Sequence, residues 1–180
     1  MATLDLSKAK FSFYMSDPDL VSFGSNDGVG VPTGWSYLTT GGDDILVTGQ
    51  GMTFNAAGRP TSGTATAIEI DVGNDDPANP ELVITGINVA AATLDDGPAS
   101  FWRFLEGDDV ILGPELAKGA SGGTFILFGD GIAARNGATG GRDVIHLGDG
   151  YVQAAGDVTD VGSQAGAPTA AYRGGADEPE

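Results

Sequence analysis

The sequence predicts an all-β protein with many tight turns, in which a small antiparallel β unit precedes a glycine-rich part. Three observations lead there. Glycine supplies 30 of the 180 residues, where an average protein has about 7%. Glycine weakens helix interiors and opens turns with positive φ. Threonine, valine and isoleucine are plentiful, and these side chains suit a pleated, half-buried surface. Short apolar runs are punctuated along the whole chain by glycine, aspartate, asparagine and proline, the residues that make tight turns. The apolar fraction of 41% is enough for a core, and the length suits one domain or two small ones.

The elements follow in order. Lys10–Met15, KFSFYM, alternates polar and aromatic residues and reads as a strand. Turn formers dominate from Ser16 to Gly34, after which Trp35, Tyr37 and Leu38 are expected in the core. Asp43–Gly49, DDILVTG, is a strand with a glycine stop, and Ala57–Gly58–Arg59–Pro60 is a turn. A strand over Thr64–Val72 places Ile68, Ile70 and Val72 on one face. Asn74–Glu81 is a polar loop, and Leu82–Ala92 is a strand interrupted at Gly86. Residues 99–106, ASFWRFLE, form one helical turn or a strand entry, with Trp102 and Phe104 as core anchors. The expected organisation is a β-rich unit over 1–98 and a repeat region over 99–180, or the two as one continuous domain.

The repeat region has an internal echo. GASGG at Gly119–Gly123 recurs as GATGG at Gly137–Gly141; TFILFGDG follows the first and RDVIHLGDG the second. A degraded third unit starts at Ala155–Asp157 and ends near Tyr172–Asp177. Such recurrence points to stacked supersecondary units. A second regularity cuts across the chain. GDDILV (Gly42–Val47), GDDVIL (Gly107–Leu112) and GRDVIH (Gly141–His146) share Gly-x-Asp-x-apolar-x. Asp44, Asp109 and Asp143 take the acidic position, and Leu46, Ile111 and Ile145 the inward apolar one.

This pattern suits a hard cation. Calcium takes six to eight oxygens. A glycine-rich turn points backbone carbonyls at one spot, an aspartate adds charge at its end, and the apolar residue two positions on anchors a short strand. One turn supplies part of a coordination sphere, so a stacked neighbour must complete it. Asp143, Asp130, Asp149 and Asp109 are the leading candidate ligands, with Asp44, Asp108, Asp157 and Asp177 behind them, and Gly140 and Gly141 as carbonyl donors.

These residues resemble the haemolysin-type, RTX-like calcium-binding repeat family, whose nonapeptide is G-G-x-G-x-D-x-U-x. The resemblance covers Gly107–Asp177, with an outlying unit at Gly41–Val47. Thr124 and Phe125 stand where one turn of that pattern would carry its aspartate. The resemblance implies a right-handed parallel β-roll or β-helix-like part with calcium between turns. It also implies type I export without an N-terminal signal, and folding outside the cell.

Charge and composition narrow the function further. Twenty-five acids against eight lysines and arginines give a formal net charge of −17, which disfavours nucleic acid and anionic membrane surfaces. No apolar stretch approaches the roughly 18 residues of a membrane span, and MATLDLSKAKFSFYM has no signal-peptide h-region. Without cysteine and with His146 alone, thiolate chemistry and multi-histidine metal sites are excluded. No P-loop or dinucleotide fingerprint occurs. Acid pairs such as Asp95–Asp96 select no glycosidase geometry, and His146 reads as structural. The expectation is a non-enzymatic, extracellular calcium-binding protein with a structural or adhesive role. The alternative is a structural subunit that self-assembles through exposed β edges, with calcium secondary.

Overall fold

Alternation of inward apolar and outward polar side chains builds the longest strands. A computed structural model of the chain describes residues 1–9, 13–14, 21, 23–25, 30–73, 79–94, 101–105, 107–113, 124–128, 141–146, 151–155 and 178–179. Their strands are β1 (Thr3–Asp5), β2 (Phe13–Tyr14), β3 (Phe23–Ser25), β4 (Gly34–Thr39), β5 (Asp44–Phe54) and β6 (Pro60–Asp71). There follow β7 (Leu82–Ala90), β8 (Val110–Leu112), β9 (Thr124–Phe128), β10 (Val144–His146), β11 (Tyr151–Ala155) and β12 (Glu178–Pro179). Short 3-10 turns occupy Ala91–Thr93 and Trp102–Leu105. Among the described residues the protein is mostly β, with no helix of seven or more residues and none long and apolar enough to cross a membrane.

One mixed sheet carries most of these strands, in the order β12-β10-β8-β1-β7-β6-β5-β4-β3. From β3 to β7, and on to β1, neighbours run antiparallel, which makes the predicted antiparallel unit a meander. Beyond β1 every pairing is parallel, with Thr3, Val110 and Val144 in one row, and Leu4, Ile111 and Ile145 in the next. A second sheet, β11-β9-β2, is also parallel, with Phe13, Phe125 and Val152 in register. Outside the meander, successive strands therefore alternate between the two sheets. The first sheet runs unbroken across the 98/99 boundary, because β1 joins β7 to β8.

Several local expectations need correction. The strand at Asp44 does not stop at Gly49 but continues to Phe54, with register shifts at Thr48/Gly49 and again beyond Gln50. Likewise β7 passes through Gly86, whose φ of +74° lets the strand kink instead of ending. Leu38 is half-buried on the outer face, opposite in parity to Trp35 and Tyr37. The GASGG/GATGG echo relates strands of different sheets: β9 pairs with β11, whereas β10 pairs with β8. The structural repeat is thus the Gly-x-Asp spacing of Gly107 and Gly141, not the echo.

The core lies on one face of the large sheet. Trp35 stacks on Tyr37 at 4.3 Å between ring centroids, and the Tyr37 hydroxyl donates to the Val21 carbonyl at 3.0 Å. Ile45, Val47, Ile68, Ile70, Leu82, Ile84, Leu4, Ile111 and Ile145 carry the same apolar face across the sheet. Phe101 and Trp102 meet edge to face at 4.9 Å and extend it. The predicted anchors hold, Trp102 fully buried and Phe104 packed at the margin.

Candidate metal centre

Two of the three Gly-x-Asp units come together. Asp109 immediately precedes β8 and Asp143 immediately precedes β10, so parallel in-register pairing stacks one aspartate on the other. The Asp109 N–H donates to Asp143 Oδ1 at 2.9 Å, and the Val144 N–H donates to the Asp109 carbonyl at 2.9 Å. The pattern continues one strand further. The Ala2 N–H donates to Asp109 Oδ1, and the Val110 N–H donates to the Ala2 carbonyl at 3.0 Å. Each carboxylate thereby caps the backbone of the strand before it. Asp109 and Asp143 are 2% and 0% exposed, a depth at which a carboxylate needs both hydrogen bonds and countercharge.

The flanking residues set this stack. Ile111 and Ile145, two positions on, are buried and anchor both strands. Asp108 stays exposed, and its Oδ1 accepts the Arg142 N–H at 2.9 Å. Gly141 lies against the turn at Gly107: a Cβ on it would come within 2.0 Å of the Gly107 carbonyl carbon. His146 ends β10, exposed, with its carbonyl accepting the Gly113 N–H at 2.7 Å.

Asp44, the outlying unit, is placed differently. It stands at the start of β5, between Leu38 and Asp71 in the antiparallel meander and apart from the stack. Leu46, its expected inward residue, is 42% exposed, while Ile45 and Val47 are buried. The unit is therefore out of phase, because it enters an antiparallel strand directly from a tight turn. Asp43 takes the buried position instead. Its carbonyl accepts the Thr39 N–H at 2.9 Å, and its Oδ1 accepts the Gly73 N–H at 2.9 Å. The parity of Trp35, Tyr37, Ile45 and Val47 was the available signal for Asp43.

Asp44 also shares a depression of about 210 Å³ with Ser36, Leu46, Glu69, Asp71 and Pro80. Burial first, and then the Asp71 carboxylate opposite it, hold the Asp44 carboxyl above its usual 3.8. A raised folded-state pKa means tighter proton binding in the folded chain. The penalty therefore stands in full above that raised value, shrinks as pH falls through it, and is gone below 3.8. Asp44→Asn is expected to stabilise the protein by about 0.2–1 kcal/mol near neutral pH, the size of a cross-strand like-charge effect. Urea melts at neutral pH and again below the unfolded pKa check this, since the gain should vanish in acid.

The donor chemistry of Asp109 and Asp143, hard carboxylate oxygens at depth, fits a hard cation. Among the described residues no group of three or more histidine, aspartate or glutamate side chains gathers in metal-binding range. Two carboxylates alone would supply only part of the six to eight oxygens calcium takes. Asp130, Asp149, Asp157, Asp177 and Gly140 lie outside the described residues. No protein-family model, characterised protein or solved structure matches the chain.

Proposed function

We propose that this chain is a non-enzymatic structural protein of the extracellular space, stabilised by calcium at its stacked aspartate turns. The observation that carries the reading is the pair Asp109 and Asp143, buried and in register on adjacent parallel strands. Buried carboxylates and turn carbonyls are the hard oxygen donors that a divalent cation such as calcium takes. The alternation of strands between two parallel ladders supports a β-roll-like coil. Its turns would be β1–β2, β8–β9 and β10–β11, with the meander inserted between the first and second. A calcium-rich surrounding outside the cell suits this chemistry, as does the net charge of −17.

Calcium titration calorimetry with thermal melts tests the reading. At calcium about a hundredfold above Kd, linkage gives about 2.7 kcal/mol of stabilisation, or roughly 5–10 °C in Tm for a chain of this size. Asp143→Ala should abolish the heat of binding, while Asp108→Ala, at the exposed flank, should leave most of it. Identical melting in chelator and in millimolar calcium would sink the proposal.

Self-assembly is the second reading. It is favoured by the outer strands β3 and β12 of the large sheet and β2 and β11 of the small one, which among the described residues are paired on one side. Light scattering that grows with protein concentration regardless of calcium would favour it.

A further inference from the structure

We propose that β1 is a strap through which the state of the aspartate stack controls the folding of the meander. The inference rests on the reading of that stack as cation-dependent. Within the large sheet, β1 is the one strand, among the described residues, hydrogen-bonded to both the meander and the repeat strands. Toward the meander it pairs Thr3, Leu4 and Asp5 with Thr85, Ile84 and Val83. Toward the repeats it pairs the same residues with Val110, Ile111 and Leu112. The Leu6 N–H extends the second ladder by donating to the Leu112 carbonyl at 2.8 Å. Ala2, Leu4 and Leu6 are buried, and the open αL kink at Gly86 makes room for the Met1 carbonyl, which a Cβ there would approach to 2.7 Å.

A strand of three residues has little stability of its own; it stays in place only while both neighbours hold it. The link to the stack is direct, because Ala2 donates its N–H to Asp109, the carboxylate that sits on Asp143's strand neighbour. Asp109 is held on both sides, its Oδ1 by the Ala2 N–H and its own N–H by Asp143 Oδ1, so a change in the stack that moves Asp109 strains the bond to Ala2. Release of β1 then bares the edge of β7 and the apolar row Ile84, Ile68 and Val47 that Leu4 extends. The ladder thereby acts at a distance, as a coupling between two regions joined by one element that opens locally.

Amide hydrogen exchange by mass spectrometry on the full chain tests the strap, in calcium and in chelator. In the native protein, calcium is expected to slow exchange about tenfold in peptides spanning β5 and β6 as well as those spanning β8 and β10. In Ala2→Pro, which removes the donated N–H and leaves both aspartates, calcium should still slow the β8 and β10 peptides while β5 and β6 no longer respond. An unchanged native meander beside calcium-slowed repeats overturns the strap and leaves the calcium reading standing, as does an undiminished meander response in Ala2→Pro. Should calcium slow neither region, the calcium reading fails and Asp109→Ala decides the strap. Faster exchange in β5 and β6 supports it, and faster exchange confined to β8 and β10 overturns it. Ala2→Pro, read in the same way against the native chain, takes its place if the alanine variant does not fold.

Discussion

Gly141→Ala is expected to destabilise the protein by about 1–3 kcal/mol or more, the cost of forcing atoms into a filled space. For a chain of this length that is roughly 2–12 °C in Tm. The added Cβ would lie 2.0 Å from the Gly107 carbonyl carbon and 2.2 Å from the Asp108 nitrogen, both of them backbone. Neither a rotamer change nor a side-chain shift relieves such a contact, so the turns must separate. Their separation lengthens the bond from the Asp109 N–H to Asp143 Oδ1. Gly107 is the internal control, because a Cβ there meets nothing within 4 Å. Gly107→Ala should be neutral or mildly stabilising, through the reduced freedom of the unfolded chain. Urea denaturation of the two variants side by side checks this, and equal losses would refute close stacking of the two turns.

Leu4→Ala should cost about 2–5 kcal/mol, the range for truncating a buried leucine. Leu4 is 0% exposed and stands between Ile84 on β7 and Ile111 on β8. The cavity opens where the two halves of the sheet meet, with little freedom to collapse because backbone pairing fixes both neighbours. Thr3→Ala, on the opposite face of the same strand and half-buried, should change stability by no more than about 0.5 kcal/mol. Chemical denaturation again provides the measurement. A small loss at Leu4 would show that β1 adds little to the core.

The stacked aspartates were legible because the signal is local and repeated. Gly-x-Asp-x-apolar puts a turn, an acid and an anchor at fixed offsets, and Ile111 and Ile145 indeed lie inward. The same six-residue pattern misplaced Leu46, since a pattern of residue types carries no information on whether the strand it enters has a parallel or antiparallel neighbour. Strand alternation placed Ile68 and Ile70 correctly for the converse reason, a period of two being decided within the segment itself, whereas Val72 lies past the end of β6 and is only partly buried. Glycines in Asp44–Phe54 and Leu82–Ala90 looked like stops because a bulge and a terminus have the same composition. Leu4 and Ala2 were invisible, because Thr3–Asp5 is too short to show a period and its partners lie far along the chain. The echo at Gly119 and Gly137 was real as sequence but joined strands of two different ladders, which only pairing can separate.

The position of β1 also sets an order of events. Ala2 and Asp109, which share a hydrogen bond, are separated by 107 residues, and a closure of that span costs chain entropy before any contact repays it. During synthesis, residues 1–9 appear before residue 110 and must wait for it before their parallel partner exists. Hairpins of the meander, built from neighbouring strands, have no such delay. The β1–β8 ladder therefore closes after the meander, and pairing over such a span slows folding.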